Sequence, residues 1–446
     1  MSLKVVKFGG SSLADANQFR KVADIIKSDA DRRFVVPSAP GKRFSDDIKI
    51  TDMLYKCFDL ASNSLDFDKE FDTIKERYNG IIADLGVDIS LENDFNTIKN
   101  ELKSKPNRDF AASRGEFLNG KILAAFLGFE FIDAAEIITF NTNGMLLLDE
   151  TVKKIRARID GINHAVVPGF YGSTTEGTVK TFSRGGSDVT GSILANAVKA
   201  SIYENWTDVS GFLVTDPRIV DNPEVINVIT YKELRELAYM GASVLHEDAI
   251  FPVRTAGIPI NIKNTNRPED AGTMIVSDDH DFNDDSTAHT ITGIAGRKGF
   301  STINIEKAMM NSEMGFGMKV LKVLADNNVS FEHMPSGIDT MSIIVDSSSL
   351  DPVRDTVLAQ LRKEVAPDHL EIEDGVALLA VVGRRMKNTR GTVARIFAAM
   401  AHARINVKMI DQGSSELNVI IGVSENDLNE AIRRIYDMFI SSEQTA

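Results

Sequence analysis

The prediction of the fold starts from residues 6–15, which read VKFGGSSLAD. An apolar run meets Lys7, two glycines and two serines, and a helical pattern follows. Because glycine has no Cβ, the backbone at Gly9 and Gly10 can approach a ligand closely. Amides at the start of the following helix favour an anion. The stretch therefore predicts a phosphate-binding turn at the carboxyl end of a first parallel strand, where open α/β sheets bind their ligands.

Short apolar runs alternate with helical stretches over residues 1–276, and most of the runs are continuous, as in parallel strands covered on both faces. This alternation predicts an α/β fold with an open, mostly parallel sheet sandwiched by helices. Residues 51–105 are charged and helical in period, so we predict a helical arm outside the sheet. The expected strands are LKVVKF, RFVVPSA, FEFIDAA, HAVVPGF, ASIYENWTDV, GIPINIKN and GTMIVS.

The C-terminal part contains an internal repeat, in residues 315–346 and 389–423. Each copy has a glycine-marked turn, an amphipathic helix, an Asn-Val strand start and a second apolar strand; Asn328 corresponds to Asn406. The repeat predicts two ferredoxin-like α+β units in a regulatory region at 291–446, the first at about 291–365 and the second at about 366–446. We expect them to pack side by side, to intertwine or to pair between chains. The run at 277–290 is rich in turn-forming residues and predicts a solvated linker.

Composition narrows the class of protein. The chain has 446 residues and a formal charge of −14, which argues against nucleic acid or an anionic membrane as a partner. Its single cysteine, Cys57, excludes an internal disulfide and a cysteine-cluster metal site, and we expect it in the core. With no signal-peptide pattern and no apolar run of spanning length, we expect a cytoplasmic protein.

A second glycine-rich segment, VVPGFYGSTTEGTVKTFSRGGSDVTGSILA, ends at another predicted helix start with Arg184 and Asp188. Two such turns in one domain suit a nucleotide polyphosphate that faces a second anionic substrate. Neither turn has the spacing of a P-loop or of a dinucleotide fingerprint. A third polar segment, NWTDVSGFLVTDPRIVDNPEVI, combines turn signals with a regular spacing, and a plain turn remains an equally good interpretation of it.

Taken together, these segments resemble the successive signature blocks of the aspartokinases, which belong to the amino acid kinase family. The repeat resembles the tandem ACT domains of monofunctional aspartokinases, rather than the fusion with homoserine dehydrogenase. The resemblance implies MgATP-dependent phosphorylation of the L-aspartate side chain to 4-phospho-L-aspartate, the first step of lysine, threonine and methionine biosynthesis. The blocks are VKFGGSSLAD, SRGEFLNGKILAAFL, VPGFYGSTTEG, SRGGSDVTGSILA, NWTDVSGFLVTDPR and ELAYMGASVLH.

The resemblance also implies roles for individual residues. The transferring phosphoryl group is expected to contact Lys7, Gly9, Gly10 and Ser11, with Asp188 as the organiser of Lys7. Mg²⁺ is expected on the ATP phosphates and water, without a protein ligand. Aspartate is expected to bind Ser38, Thr51, Glu116 and Arg184, with Glu116 facing the α-amino group and Arg184 the α-carboxylate. The adenine and ribose segment corresponds to Thr207, Asp208, Asp216 and Arg218. Leu213 and Ser243 depart from the family's usual tyrosine and lysine.

For regulation, the resemblance implies an end-product inhibitor that binds between paired ACT units of a homodimer or tetramer. Lysine is the first choice, because Glu332 stands where lysine-sensitive members carry an acid; Gln412 resembles a position of threonine-sensitive members. The expected lysine site comprises Met310, Gly315, Phe316, Ser330, Phe331 and Glu332. Two alternatives stay open: a sister amino acid kinase with another acceptor, and a non-catalytic amino-acid sensor on the same scaffold.

Overall fold

A computed structural model of the chain describes residues 2–183, 185–241, 245, 247–280, 289–387 and 389–441. The chain divides into two compact units. The first holds residues 1–212, 225–231 and 244–280, and the second holds the remainder. The expected catalytic region, 1–276, therefore differs from the first unit by residues 213–224 and 232–243, which group with the C-terminal residues.

In the described part of the first unit, eight strands form one sheet in the order β3-β5-β2-β1-β8-β10-β11-β9, and all neighbours are parallel except β10 and β11. A second sheet of three strands has the order β4-β6-β7. The predicted open, mostly parallel sheet is confirmed. The strands are β1 Lys4–Phe8, β2 Arg32–Pro37, β3 Glu130–Phe131, β4 Thr139–Phe140, β5 Ala165–Val166, β6 Tyr171–Thr174, β7 Val179–Thr181, β8 Ile202–Thr207, β9 Val228–Thr230, β10 Ile260–Asn264 and β11 Thr273–Val276.

Helices cover this sheet. The charged segment predicted as an arm forms α2, α3 and α4, whose apolar faces share one core with the strand residues Val6, Phe8 and Trp206. The arm is thus a layer of the domain, because its amphipathic period gives it an apolar stripe to bury. The helices of the first unit are α1 Ala16–Lys27, α2 Ile50–Ser62, α3 Asp68–Leu85, α4 Glu92–Ser104, α5 Arg108–Leu127, α6 Ala134–Ile137, α7 Leu148–Ile159, α8 Gly186–Val198 and α10 Glu247–Thr255, while α9 Tyr231–Tyr239 belongs to the second unit except for its first residue.

The second unit contains a six-stranded antiparallel sheet in the order β13-β14-β12-β15-β17-β16. Two long strands, β12 and β15, pair with each other along their length. Because β12 also pairs with β14, and β15 with β17, the strands of both repeats lie in one sheet. The strands are β12 Gly293–Glu306, β13 Phe331–His333, β14 Thr340–Asp346, β15 His369–Val382, β16 Met409–Asp411 and β17 Asn418–Ser424. The α-helices are α11 Phe316–Asp326, α12 Ser347–Leu350, α13 Arg354–Val365, α14 Thr392–His402 and α15 Leu428–Tyr436.

Candidate active site

Lys7 lies near the carboxyl end of the central strand β1, and its ammonium group is held by two side chains. Its Nζ is 2.6 Å from Oδ1 of Asp188 and donates to Oδ1 of Asn205 at 3.3 Å. Nδ2 of Asn205 in turn donates to Asp188 at 2.9 Å. Asp188 lies in the first turn of α8, and Asn205 lies on β8, the neighbour of β1. The three side chains fix the position of one positive charge at the carboxyl edge of the sheet.

The second glycine after β1, Gly10, is required by close backbone contacts. The Gly9 amide donates to the Trp206 carbonyl at 3.0 Å, and a 3₁₀ turn then spans Gly10–Leu13. A Cβ at Gly10 would lie 2.9 Å from the Ala39 carbonyl oxygen and 3.2 Å from the Gly41 Cα. Any larger residue would therefore push the two loops apart. The close backbone approach in the structure is to the loop that follows β2, and the predicted approach to a ligand stays a prediction.

A cavity of about 620 Å³ opens beside this turn. It brings together most of the residues expected to bind substrate, and they come from β1, β2, α2, α5 and β8 or from the loops next to them. The expected residues that line it are Lys7, Gly9, Gly10, Ser11, Ser38, Thr51, Glu116, Thr207 and Asp208. Their convergence from distant parts of the chain places an anion-binding turn and a buried carboxyl group in one chamber.

Glu116 lies on α5, in the block SRGEF, and only 5% of its surface is exposed. Burial raises the pKa of this carboxyl to about 8, because the charged form loses its hydration. Its Oε2 atom has no hydrogen-bond partner among the described residues. Burying an oxygen that has no hydrogen-bond partner costs free energy. In a cavity wall, such an oxygen is typical of a group that binds a ligand.

The other predicted substrate residues have different outcomes. Arg184 and Ser243 lie outside the described residues. Asp216 and Arg218 belong to the second unit, where their side chains form an ion pair with atoms 2.6 Å apart. The Arg218 guanidinium lowers the pKa of the Asp216 carboxyl.

The residues expected to bind lysine divide into two groups. Met310 and Phe316 are buried in the apolar core of the first repeat, and Gly315 caps the N-terminus of α11. Ser330, Phe331 and Glu332 are at β13, an edge strand of the six-stranded sheet. The Glu332 carboxylate accepts a hydrogen bond from the Tyr239 hydroxyl and lies 3.4 Å from the Arg297 guanidinium. Burial and this hydrogen bond raise the pKa of Tyr239 to about 12.

Gln412 lines a separate cleft of about 520 Å³ in the second repeat, together with residues at the N-terminus of α14. Across the described residues, no three His, Cys, Asp or Glu side chains are grouped as metal ligands. In the same part of the chain, no helix has the length and apolar character needed to cross a membrane.

Sequence reasoning missed several members of the site. Asn205 is a buried amide on β8 next to the buried Glu204, and this polar pair within IYENWT was the available signal. Gly41, Lys42 and Lys49 line the cavity from the loop between β2 and α2. The two lysines and the glycine are evident in the sequence, but no local pattern indicated that this loop packs against the diglycine turn.

The comparisons with known proteins agree with the α/β fold and give the class of protein. The model of the amino acid kinase family matches residues 2–264, and an ACT domain model matches residues 379–439. Because the first match covers more than half of the chain, the chain belongs to the amino acid kinase family.

Individual relatives narrow the class to the aspartokinases. The chain is 39% identical to aspartokinase 3 of Bacillus subtilis over 98% of this chain and 99% of the relative. It is 51% identical to the crystal structure of Clostridium acetobutylicum aspartate kinase, with a TM-score of 0.90, over 98% of this chain and 100% of that one. E. coli aspartokinase III in complex with aspartate and ADP shares the fold, with 24% identity, a TM-score of 0.70 and coverage of 98% and 99%. The prediction of an aspartokinase, a phosphotransferase, is confirmed.

Proposed function

We propose that the chain transfers the γ-phosphoryl group of MgATP to the side-chain carboxylate of L-aspartate, giving 4-phospho-L-aspartate and ADP. The observation that carries this proposal is the fixed ammonium group of Lys7, which shares one cavity with the diglycine turn and with the buried Glu116 carboxyl, whose Oε2 has no hydrogen-bond partner among the described residues. The Lys7 ammonium and the diglycine turn are suited to bind a phosphate, and the Glu116 carboxyl is suited to bind an ammonium group in the same cavity.

The chemistry needs charge neutralisation more than proton transfer. A carboxylate with an ordinary pKa near 3.9 is already ionised at neutral pH, so the nucleophile requires no general base. The obstacle is repulsion between this anion and the ATP phosphates. Lys7, oriented by Asp188 and Asn205, faces the group in transfer. The amides of Gly10 and Ser11 bind its oxygens, whereas the Gly9 amide, also expected there, already donates to the Trp206 carbonyl. Removing one such contact costs on the order of 10²–10³ in rate.

Mg²⁺ is proposed to enter this cavity with ATP, held mainly by the phosphates and by water. When bound, it neutralises charge on the β and γ phosphates. Asp208, which directly follows β8, belongs to the expected nucleotide segment, and its carboxylate lines the cavity. Thr207, Asp208, Asp216 and Arg218 are proposed for adenine and ribose, with the effect of Leu213 and Ser243 on base preference left to measurement.

Recognition of aspartate is proposed at both of its ends. Glu116 provides the counter-charge for the α-amino group, and Ser38 and Thr51 provide hydroxyl groups from the opposite loop and from α2. Arg184 is proposed to hold the α-carboxylate through its planar fork. We favour aspartate over the acceptor of a sister kinase because Glu116 lies in the aspartokinase-like block SRGEF and the chain carries an ACT domain.

For regulation, we propose feedback inhibition by lysine, with threonine as the alternative, in a cytoplasmic homodimer or tetramer formed through the ACT units. Glu332 is proposed to bind the lysine side-chain ammonium in exchange for its present contacts with Tyr239 and Arg297. The first repeat exposes a group of large apolar side chains that support pairing with a second copy. They are Met309, Met314, Met318, Phe331 and Ile338.

The test is aspartate-dependent release of ADP, measured with purified chain and MgATP, without and with lysine and threonine, separately and together. We expect turnover with L-aspartate, none with L-glutamate, and inhibition by lysine. Lys7→Ala should fold, bind lysine and lose at least a hundredfold in kcat. A wild-type chain that binds amino acids but releases no ADP would support the sensor alternative, and normal turnover in Lys7→Ala would refute the proposed mechanism.

A further inference from the structure

The loop between β2 and α2 adds positive charge to the active-site cavity. Lys42, Arg43 and Lys49 line the cavity from this loop, residues 41–49, in addition to Lys7. Against these four cations, the wall carries only two acids, Glu116 and Asp208. In a chain with a formal charge of −14, this is a local concentration of positive charge. Such a concentration raises the local concentration of anions.

The loop is packed directly on the proposed phosphate-binding turn. The Gly41 amide donates to the Gly10 carbonyl at 2.8 Å. A Cβ at Gly41 would lie 2.6 Å from the Gly10 carbonyl carbon and 2.7 Å from the Ser11 nitrogen. Lys42 therefore leaves the backbone one residue after the contact with the diglycine turn. At the other end of the loop, Lys49 immediately precedes α2 and is two residues from Thr51.

A buried arginine from the helical layer holds the loop in this position. Arg77, on α3, donates to the Ile48 carbonyl at 2.8 Å and to the Gly41 carbonyl, and its guanidinium lies 3.4 Å from the Asp47 carboxylate. Arg43 pairs with the same carboxylate at 2.8 Å. The hydrogen bonds of Arg43 hold the pKa of Asp47 well below its usual range, so this carboxylate stays ionised. Both ends of the loop are thus fixed through Arg77 and Asp47.

This clamp uses Arg43 but leaves the two lysines available. In the described part of the chain, neither Lys42 nor Lys49 lies within ion-pair distance of a carboxylate. Lys42 donates only to the Ser45 carbonyl, at 3.0 Å, and Lys49 is exposed. Two unpaired ammonium groups on a fixed loop, at the wall of a cavity that already contains a phosphate cradle, are suited to bind an anion with little loss of conformational entropy.

We propose that Lys42 and Lys49 form a second cationic wall of the cavity that binds the γ-phosphoryl group of ATP together with Lys7. This inference rests on the proposed function. In the reaction, a carboxylate oxygen of the acceptor forms a bond to the γ-phosphorus, and the bond from that phosphorus to the bridging β–γ oxygen breaks, with its electron pair leaving on ADP. No proton moves. The wall neutralises the oxygens of the γ-phosphoryl group during its transfer. Because ADP lacks this group, the wall contributes more binding free energy to ATP and to the transition state than to ADP.

The experiment compares Lys42→Met, Lys49→Met and the double variant with Lys153→Met, an exposed lysine on α7 outside the cavity. Binding of Mg·ADP and of a non-hydrolysable Mg·ATP analogue is measured by calorimetry, and kcat and both KM values by ADP release. We expect the double variant to bind ADP within about twofold of wild type and the ATP analogue about tenfold more weakly, with kcat reduced about a hundredfold. Lys153→Met should match wild type.

Three results would overturn the inference. The double variant could match Lys153→Met in analogue affinity and kcat, or lose ADP and analogue affinity equally with kcat unchanged, or change only the KM for aspartate. Because nucleotide binding is measured without aspartate, the inference is tested even if the wild-type chain shows no aspartate-dependent turnover, which would refute the proposed function instead. Lys42→Arg, which keeps the charge, should retain most of the analogue affinity.

Discussion

Glu116 makes the affinity for aspartate depend on pH. With a pKa of about 8, only roughly one carboxyl in ten is ionised at pH 7 in the empty cavity. The ionised fraction rises from about 1% at pH 6 to about 50% at pH 8. If only the ionised form pairs with the substrate ammonium, the apparent affinity is reduced by the fraction of competent protein. The KM for aspartate should therefore fall about fiftyfold between pH 6 and pH 8.

Two assays follow this proton. Initial rates of ADP release at saturating MgATP give the KM for aspartate across the pH range. Calorimetry in buffers with different ionisation enthalpies should detect about 0.9 proton released per aspartate bound at pH 7, because the ammonium group lowers the pKa of its new partner. Glu116→Gln should bind aspartate weakly and without this pH dependence. A KM that is flat between pH 6 and pH 8, or a slope that survives in Glu116→Gln, would refute the assignment of Glu116 to the ammonium group.

Titration of the Glu116 carboxyl should also make the free energy of unfolding depend on pH in the absence of substrate. The folded chain binds the proton of this carboxyl more tightly than the unfolded chain, whose glutamate pKa is 4.5, so this contribution is fully present below pH 4.5 and is lost as the pH rises toward about 8. The difference corresponds to at most about 5 kcal/mol. Glu116→Gln should therefore lose less stability than wild type between pH 5 and pH 8 in denaturant titrations of the first unit. Parallel pH profiles for the two proteins would contradict the raised pKa.

Two further predictions concern regulation and stability. Glu332→Ala should relieve inhibition by lysine without changing basal kcat. The control Asp326→Ala, which removes an exposed acid of α11, should leave the inhibition intact. Unchanged inhibition in Glu332→Ala would place the effector site elsewhere. Glu204→Ala should reduce the free energy of unfolding by about 3–5 kcal/mol, because the Glu204 carboxylate is buried and accepts from Arg32 at 2.8 Å and from Trp206 at 2.9 Å. A loss below about 1 kcal/mol on denaturant titration would mean that Arg32 finds another partner.

Much of the fold was predictable because the signals are local. The diglycine turn, the continuous apolar strands and the repeated Asn-Val grammar each depend on backbone conformation or periodicity within a few residues. Nine of the expected site residues line one cavity because they occupy the ends of parallel strands or the helices beside them. The helical arm was recognised as helical, yet its role as a source of Arg77 was invisible, because no local pattern says which layer a helix covers.

The class of chemistry was predictable from local sequence, because glycine turns at helix starts and a neighbouring lysine are suited to bind phosphate. Tertiary structure alone decided which groups act together. Lys7 and Asn205 are 198 residues apart and meet because β1 and β8 are neighbours in the sheet. Glu116 acquires its raised pKa only from burial, and Lys42 reaches the cavity only because Gly41 packs on Gly10. The physical reason is that hydration and distance, which set these properties, depend on strand order and layer packing rather than on spacing along the chain.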